Sequence, residues 1–130
     1  MPVMDEGKSS VYSILHVSMI VADTQKALAF YCGVLGLTVN DERPELGYPG
    51  AWLQCGDQQI HLLEVPNPDP VDGRPEHGGR DRHAAFSVAN LDALCDSLQA
   101  AGVAYTRSKS GRRALFCRDP DGNALEFIES

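Results

Sequence analysis

The feature that most constrains this chain is that it repeats itself. His16-Val-Ser-Met-Ile-Val-Ala-Asp23 overlays His83-Ala-Ala-Phe-Ser-Val-Ala-Asn90 at a constant offset of 67 positions, and both octets open on histidine and close on a helix-capping residue type. At an offset of 65, Ile60-His61-Leu62-Leu63-Glu64 overlays Leu125-Glu126-Phe127-Ile128-Glu129, with every apolar position on an apolar one. A duplication of this kind makes two half-units that must complete one another, because each is too short to bury a core alone. The full 130 residues make one domain of ordinary size.

Local patterning gives both copies the same element order. In the first, Ser13 to Ala22 is β-branched and apolar, Asp23 caps a helix over 24–35, and Gly36 ends it. Three short strands follow, over 37–42, 51–55 and 59–65, with Gly56-Asp57 as the turn between the last two. In the second copy a strand over 83–89 leads to Asn90 as cap, a helix over 91–101 and Gly102 as its end. Strands near 103–107, 113–118 and 123–129 follow, the last after the turn Asp119-Pro120-Asp121-Gly122. The expected fold is α+β, two tandem βαβββ modules forming a cupped mixed sheet. Residues 1–12 are expected to be a disordered leader and 13–130 a single domain: module one 13–65, linker 66–81, module two 82–130. The linker carries four prolines and three glycines, a composition that continues neither helix nor strand. His77 lies within it and is expected to be solvated.

The repeat also aligns chemistry. His16 and His83 open the first strands of the two copies, and His61 and Glu126 occupy equivalent places in the last strands. Side chains alternate faces along a strand, so these four polar groups share a face of otherwise apolar strands. An unpaired histidine or carboxylate facing into a sheet costs several kcal/mol, and a shared divalent cation offsets that cost for all four. All-nitrogen-and-oxygen ligation suits nickel, zinc, cobalt, manganese or iron. The four cysteines, Cys32, Cys55, Cys95 and Cys117, form no CxxC pair and are expected to be buried free thiols.

Charge narrows the partners. Eleven Lys and Arg against eighteen Asp and Glu give a net charge of −7, which argues against nucleic acid. No apolar run approaches the roughly 20 residues of a membrane span, and the polar start is not a secretory signal, so the expected location is cytoplasmic. The first 65 residues hold three basic against eight acidic groups, while the other eight basic residues lie in the second half. An anionic small-molecule substrate is therefore expected, with Arg80, Arg112 and Arg113 as its contacts and Trp52, Phe116 and Tyr48 lining an apolar cup.

Three segments carry a resemblance over residues 13–129: His16-Val-Ser-Met-Ile-Val-Ala-Asp, Ala29-Phe-Tyr-Cys-Gly-Val-Leu-Gly-Leu, and Asp119-Pro-Asp-Gly-Asn-Ala-Leu-Glu126. The chain resembles the vicinal-oxygen-chelate superfamily, which includes glyoxalase I, extradiol dioxygenases, methylmalonyl-CoA epimerase, fosfomycin-resistance thiol transferases and bleomycin-resistance proteins. The resemblance implies a divalent metal held by His16, His61, His83 and Glu126, and a homodimer whose sites can draw ligands from both chains. It implies an enzyme acting on a small substrate chelated through neighbouring oxygens, by lyase or isomerase proton transfer with Glu126 as ligand and base. The alternatives are a non-catalytic binding protein of the bleomycin-resistance type, or an extradiol-type dioxygenase using His16, His83 and Glu126. His61 departs from glyoxalase I, which has glutamate there. Ile20 and Val65 stand where bacterial glyoxalase I presents Arg and Asn to glutathione, which disfavours a glutathione-dependent activity.

Overall fold

The computed structural model describes residues 9–130, so the first eight residues of the expected leader lie outside it. Module one runs β1 (His16–Ile20), α1 (Thr24–Leu28), β2 (Thr38–Asn40), β3 (Gly50–Cys55) and β4 (Gln58–Leu63). Module two runs β5 (His83–Val88), α2 (Leu91–Ala100), β6 (Tyr105–Arg107), β7 (Ala114–Arg118) and β8 (Ala124–Glu129). Each forms a four-stranded mixed sheet of the same topology, β1-β4-β3-β2 and β5-β8-β7-β6, with the first pair parallel and the others antiparallel. This is the expected α+β architecture of two βαβββ units.

The duplication extends to register and caps. His16 lies opposite Gln59 and Ser18 opposite His61, while His83 lies opposite Ala124 and Ala85 opposite Glu126, the same pairing displaced by the two offsets read from the sequence. Asp23 accepts from the Lys26 amide and Asn90 from the Ala93 amide, as caps should. A second cap is shared across each module. Glu64, just past β4, accepts from the backbone N–H and hydroxyl of Thr24, at 2.8 and 2.9 Å, and Glu129 of β8 accepts from the Leu91 N–H at 3.0 Å. The two repeat-equivalent glutamates thus place negative charge at two equivalent helix N-termini, where unsatisfied amides and the helix dipole favour it.

The copies differ in the first helix. The spacing predicts one α-helix over 24–35, but after Leu28 the chain widens into π-helical turns over Ala29–Val34, and the Leu35 amide donates to the Phe30 carbonyl at 3.0 Å. The extra residue per turn lies where Tyr31, fully buried, reaches out of its own module to donate to the Asp119 carboxylate at 2.7 Å. Asp119 is itself buried and accepts from the amides of Asp121 and Asn123 and from the Asn123 side chain. Burial and the neighbouring carboxylate push the Tyr31 phenol far above its ordinary range, so it stays a donor. Ala22 and Ile20 of module one are also bonded to Asp121 and Asn123. One continuous core joins the modules, including Met19, Phe30, Leu53, Ile60 and Leu62 from the first and Leu91, Leu98, Leu115, Leu125 and Phe127 from the second.

The cysteines divide: Cys95 and Cys117 are buried, Cys32 and Cys55 half-buried, and all four are free thiols. Burial pushes the Cys117 thiol up to about 12, which makes it inert near neutral pH. Among the described residues no helix is long and apolar enough to cross a membrane.

Removing the Tyr31 hydroxyl leaves buried Asp119 one donor short. Tyr31→Phe is expected to lower stability by about 1–2 kcal/mol, read as a reduced urea midpoint with an unchanged slope.

Candidate functional site

The four candidate ligands sit at equivalent places in two sheets, and within one chain they form two pairs. Among the described residues no group of three His, Cys, Asp or Glu side chains converges on a common point. The pair on module two is His83 and Glu126. Glu126 is 4% exposed, and the residues directly opposite it on the two flanking strands, Ala85 and Phe116, are apolar. Its Oε1 lies 3.3 Å from His83 Nε2, and Arg112 Nη2 donates to its Oε2 at 3.0 Å. His83 Nδ1–H donates to the Asp81 carbonyl at 2.8 Å, which fixes the ring and turns Nε2 toward Glu126.

The pair on module one is built from aromatic stacking. The His16 and His61 rings stack at 3.8 Å between centroids and 14° between planes, and Trp52, opposite His61 on β3, stacks on its other side at 4.3 Å and 4°. His61 Nε2–H donates to Gln59 Oε1 at 2.8 Å, leaving Nδ1 as the acceptor. Burial, with His16 and Arg43 nearby, lowers the His61 pKa and favours the neutral ring that a metal ligand requires. Arg43 was not singled out by the sequence pattern, where it is a lone cation in a Pro/Gly-rich loop. Its guanidinium donates to the Tyr48 carbonyl at 2.7 Å and lies over the Tyr48 ring.

The chemistry of these donors suits a divalent cation. A separation of 3.3 Å between a histidine nitrogen and a carboxylate oxygen is the span of two neighbouring ligands bound at roughly 2.0–2.2 Å, and the Asp81 carbonyl is the outer partner that orients a ligating histidine. Module two carries this histidine–carboxylate pair, while module one carries the two stacked imidazoles of His16 and His61.

The end of the expected linker packs across the face of module two that bears Glu126. Gly78 lies against Phe116 and Ala124 and is buried, and Gly79 approaches the Phe116 ring. His77 is half-buried here, with its ring edge-on to Phe116 at 4.8 Å and Nδ1 bonded to Thr106 Oγ1 at 2.7 Å, whereas the sequence led us to expect it solvated. His83 meets the same Phe116 ring edge-on at 5.2 Å. Asp81 anchors the segment: Arg74 holds both carboxylate oxygens at 2.8 Å and Arg118 adds a third contact at 2.8 Å. The two guanidiniums hold its carboxyl well below the usual carboxylate range.

The other expected substrate contacts are placed as follows. Arg80 is exposed at the end of the 3₁₀ turn Gly78–Arg80. Arg113 is engaged by Glu129 at 2.6 Å and Asp92 at 3.3 Å, beside the N-terminus of α2, so it supports the helix cap rather than the Glu126 pair. Phe116 is buried beside His83, and Trp52 is half-buried against His61.

Asp81→Asn removes the charge between two largely buried guanidiniums and is expected to cost about 2–4 kcal/mol at pH 7. A depressed carboxyl pKa stabilises the fold above the unfolded value near 4 and loses that contribution in acid. The gap between variant and wild type in urea midpoint should therefore narrow from pH 7 to pH 3.

The chain matches the Glyoxalase/Bleomycin resistance protein/Dioxygenase superfamily over residues 13–127. It is 34% identical over 125 residues to the lactoylglutathione lyase of Haemophilus influenzae, covering 90% of this chain and 92% of that one. It is 36% identical over 124 residues to the uncharacterized protein YwkD of Bacillus subtilis, covering 90% and 96%. Among solved structures, a glyoxalase-family protein from Bacillus anthracis superposes with a TM-score of 0.78 at 26% identity, over 95% of this chain and 98% of the other. A match that begins just before β1, runs through both modules and ends within β8 makes this chain a member of the Glyoxalase/Bleomycin resistance protein/Dioxygenase superfamily.

Proposed function

We propose that this protein is a divalent-cation-dependent enzyme that catalyses proton transfer on a small substrate bound through two neighbouring oxygens, with each site completed by a second copy of the chain. The observation that carries the reading is the pair on module two, an oriented histidine Nε2 and a buried carboxylate Oε1 facing each other at 3.3 Å. Relatives named lactoylglutathione lyase support lyase chemistry. His83 and Glu126 of one chain, with His16 and His61 of the other, would hold the cation. The bound cation would polarise the two substrate oxygens and stabilise the negative charge that develops on them.

The chain's own residues supply the rest. Glu126 is the one carboxylate in either half-site and is the group placed to take a carbon-bound proton. Phe116 and the segment from His77 to Arg80 cover it on the module-two side and keep water from its face. Trp52 holds the His61 ring by stacking, and Gln59 fixes which nitrogen carries its proton. A strip of exposed apolar residues, Val11, Tyr12, Ile14 and Leu15, each about 70–80% exposed, leads directly into His16 and offers a surface that a second copy would cover. A hemithioacetal is the first substrate to try, because of the named relatives. Ile20 and Val65 make a small thiol a better partner in it than glutathione.

A second reading, sequestration without turnover, draws on the stack of Trp52, His61 and His16, whose outer surface is open to a flat aromatic ligand. Recovery of such a ligand unchanged after incubation with the metal-loaded protein would favour it.

Protein purified without added metal is expected to carry about one divalent ion per chain by elemental analysis. His16→Ala and Glu126→Gln should each lose it, and with it activity. Mixing and refolding the two inactive variants should restore about a quarter of the wild-type metal and activity. A mixed dimer joins one intact module one to one intact module two, and half of the dimers are mixed. Metal content unchanged in both variants would reject the reading, and failure of the mixture alone would place each site within one chain.

A further inference from the structure

We infer that Arg112 is an exchangeable counter-ion for Glu126: it holds the carboxylate while the half-site is empty and gives it up when a divalent cation binds. The inference rests on the metal reading above. A buried carboxylate without a partner is strongly unfavourable, and Glu126 has only apolar cross-strand neighbours. His83 offers Nε2 at 3.3 Å, and that nitrogen carries a proton only when the imidazole is charged. Arg112 supplies the permanent positive charge.

The two contacts fall on different oxygens, Oε1 toward His83 and Oε2 toward Arg112. A cation bound between His83 Nε2 and Oε1 would share one carboxylate with a guanidinium, and two like charges that close repel. Arg112 is the partner free to move. Its side chain is 56% exposed, whereas that of Glu126 is 5% exposed on a central strand. It is tethered through Ser110 Oγ, which accepts from Nε at 3.1 Å, on the exposed loop between β6 and β7.

The exchange has a consequence for the site. Once released, the guanidinium is an unpaired cation beside the cation-loaded pair, on a loop that also carries Lys109 and follows Arg107 at the end of β6. An anionic group of the substrate can then take the place of Glu126 on Arg112. Release also leaves Oε2 without its strong donor. Arg112 is thus a positioning residue that keeps the carboxylate occupied until the cation arrives.

The test measures nickel affinity of metal-stripped wild type, Arg112→Ala, Arg112→Gln and Arg112→Lys by competition with a chromophoric chelator, together with the melting temperature of each with and without nickel. Because the guanidinium interacts more favourably with the empty site than with the filled one, removing it must tighten metal binding. Arg112→Ala and Arg112→Gln are expected to bind nickel about five- to tenfold more tightly than wild type and, when metal-free, to melt at a lower temperature. Nickel should raise their melting temperature by more than it raises that of wild type. Arg112→Lys keeps the charge and should bind as wild type does. Nickel binding by wild type with equal or weaker binding by the Ala and Gln variants would overturn the exchange while leaving the metal reading intact. Absence of nickel binding by wild type would overturn both.

Discussion

A four-stranded βαβββ unit of this length has one apolar sheet face and one short helix, too little to exclude water from a core of its own. Everything else in the structure follows from how the two units solve that problem together. Their apolar faces and helices merge into one core, and the join is fastened at its centre by the Tyr31 hydroxyl on the buried Asp119 carboxylate. The switch from α- to π-helical turns after Leu28 occurs at the segment that carries Tyr31 across the join. Local propensity asks for a regular helix there, and the tertiary bond outweighs it.

Sharing a core also divides the polar faces. The face of module two that bears Glu126 is covered by the returning linker, anchored by the Arg74–Asp81–Arg118 ion cluster. Among the described residues the equivalent face of module one has no such cover, and His16 and a half-buried His61 stack there with Trp52. The duplicated positions therefore have different environments: a buried carboxylate with its histidine on one side, two stacked imidazoles on the other. The two pairs are chemically different rather than redundant.

Much of this architecture is legible in the sequence because the repeat is literal. His16 and His83, His61 and Glu126, and Glu64 and Glu129 fall into register because strand pairing depends on a two-residue period that the letters preserve. The capping roles of Asp23 and Asn90 follow from residue type and position. His77, Arg43 and Arg112 are a different matter. Each lies in an irregular segment with no periodicity, and what it touches depends on how the segment folds back over a sheet. Arg112 and Arg113 are adjacent and identical in type, yet one reaches the buried Glu126 and the other caps α2 with Glu129.

By itself, then, the sequence determined the two modules, the order of their elements along the chain and the four repeat-equivalent polar positions, since these depend on local periodicity and on a copied pattern. Only the tertiary structure decided that the four positions form two separate pairs, that the linker covers one of them, and that Arg112 occupies Glu126. Those outcomes depend on the distance between sheets and the path of loops, which are set by the shared core and by ion pairs between residues far apart in the chain.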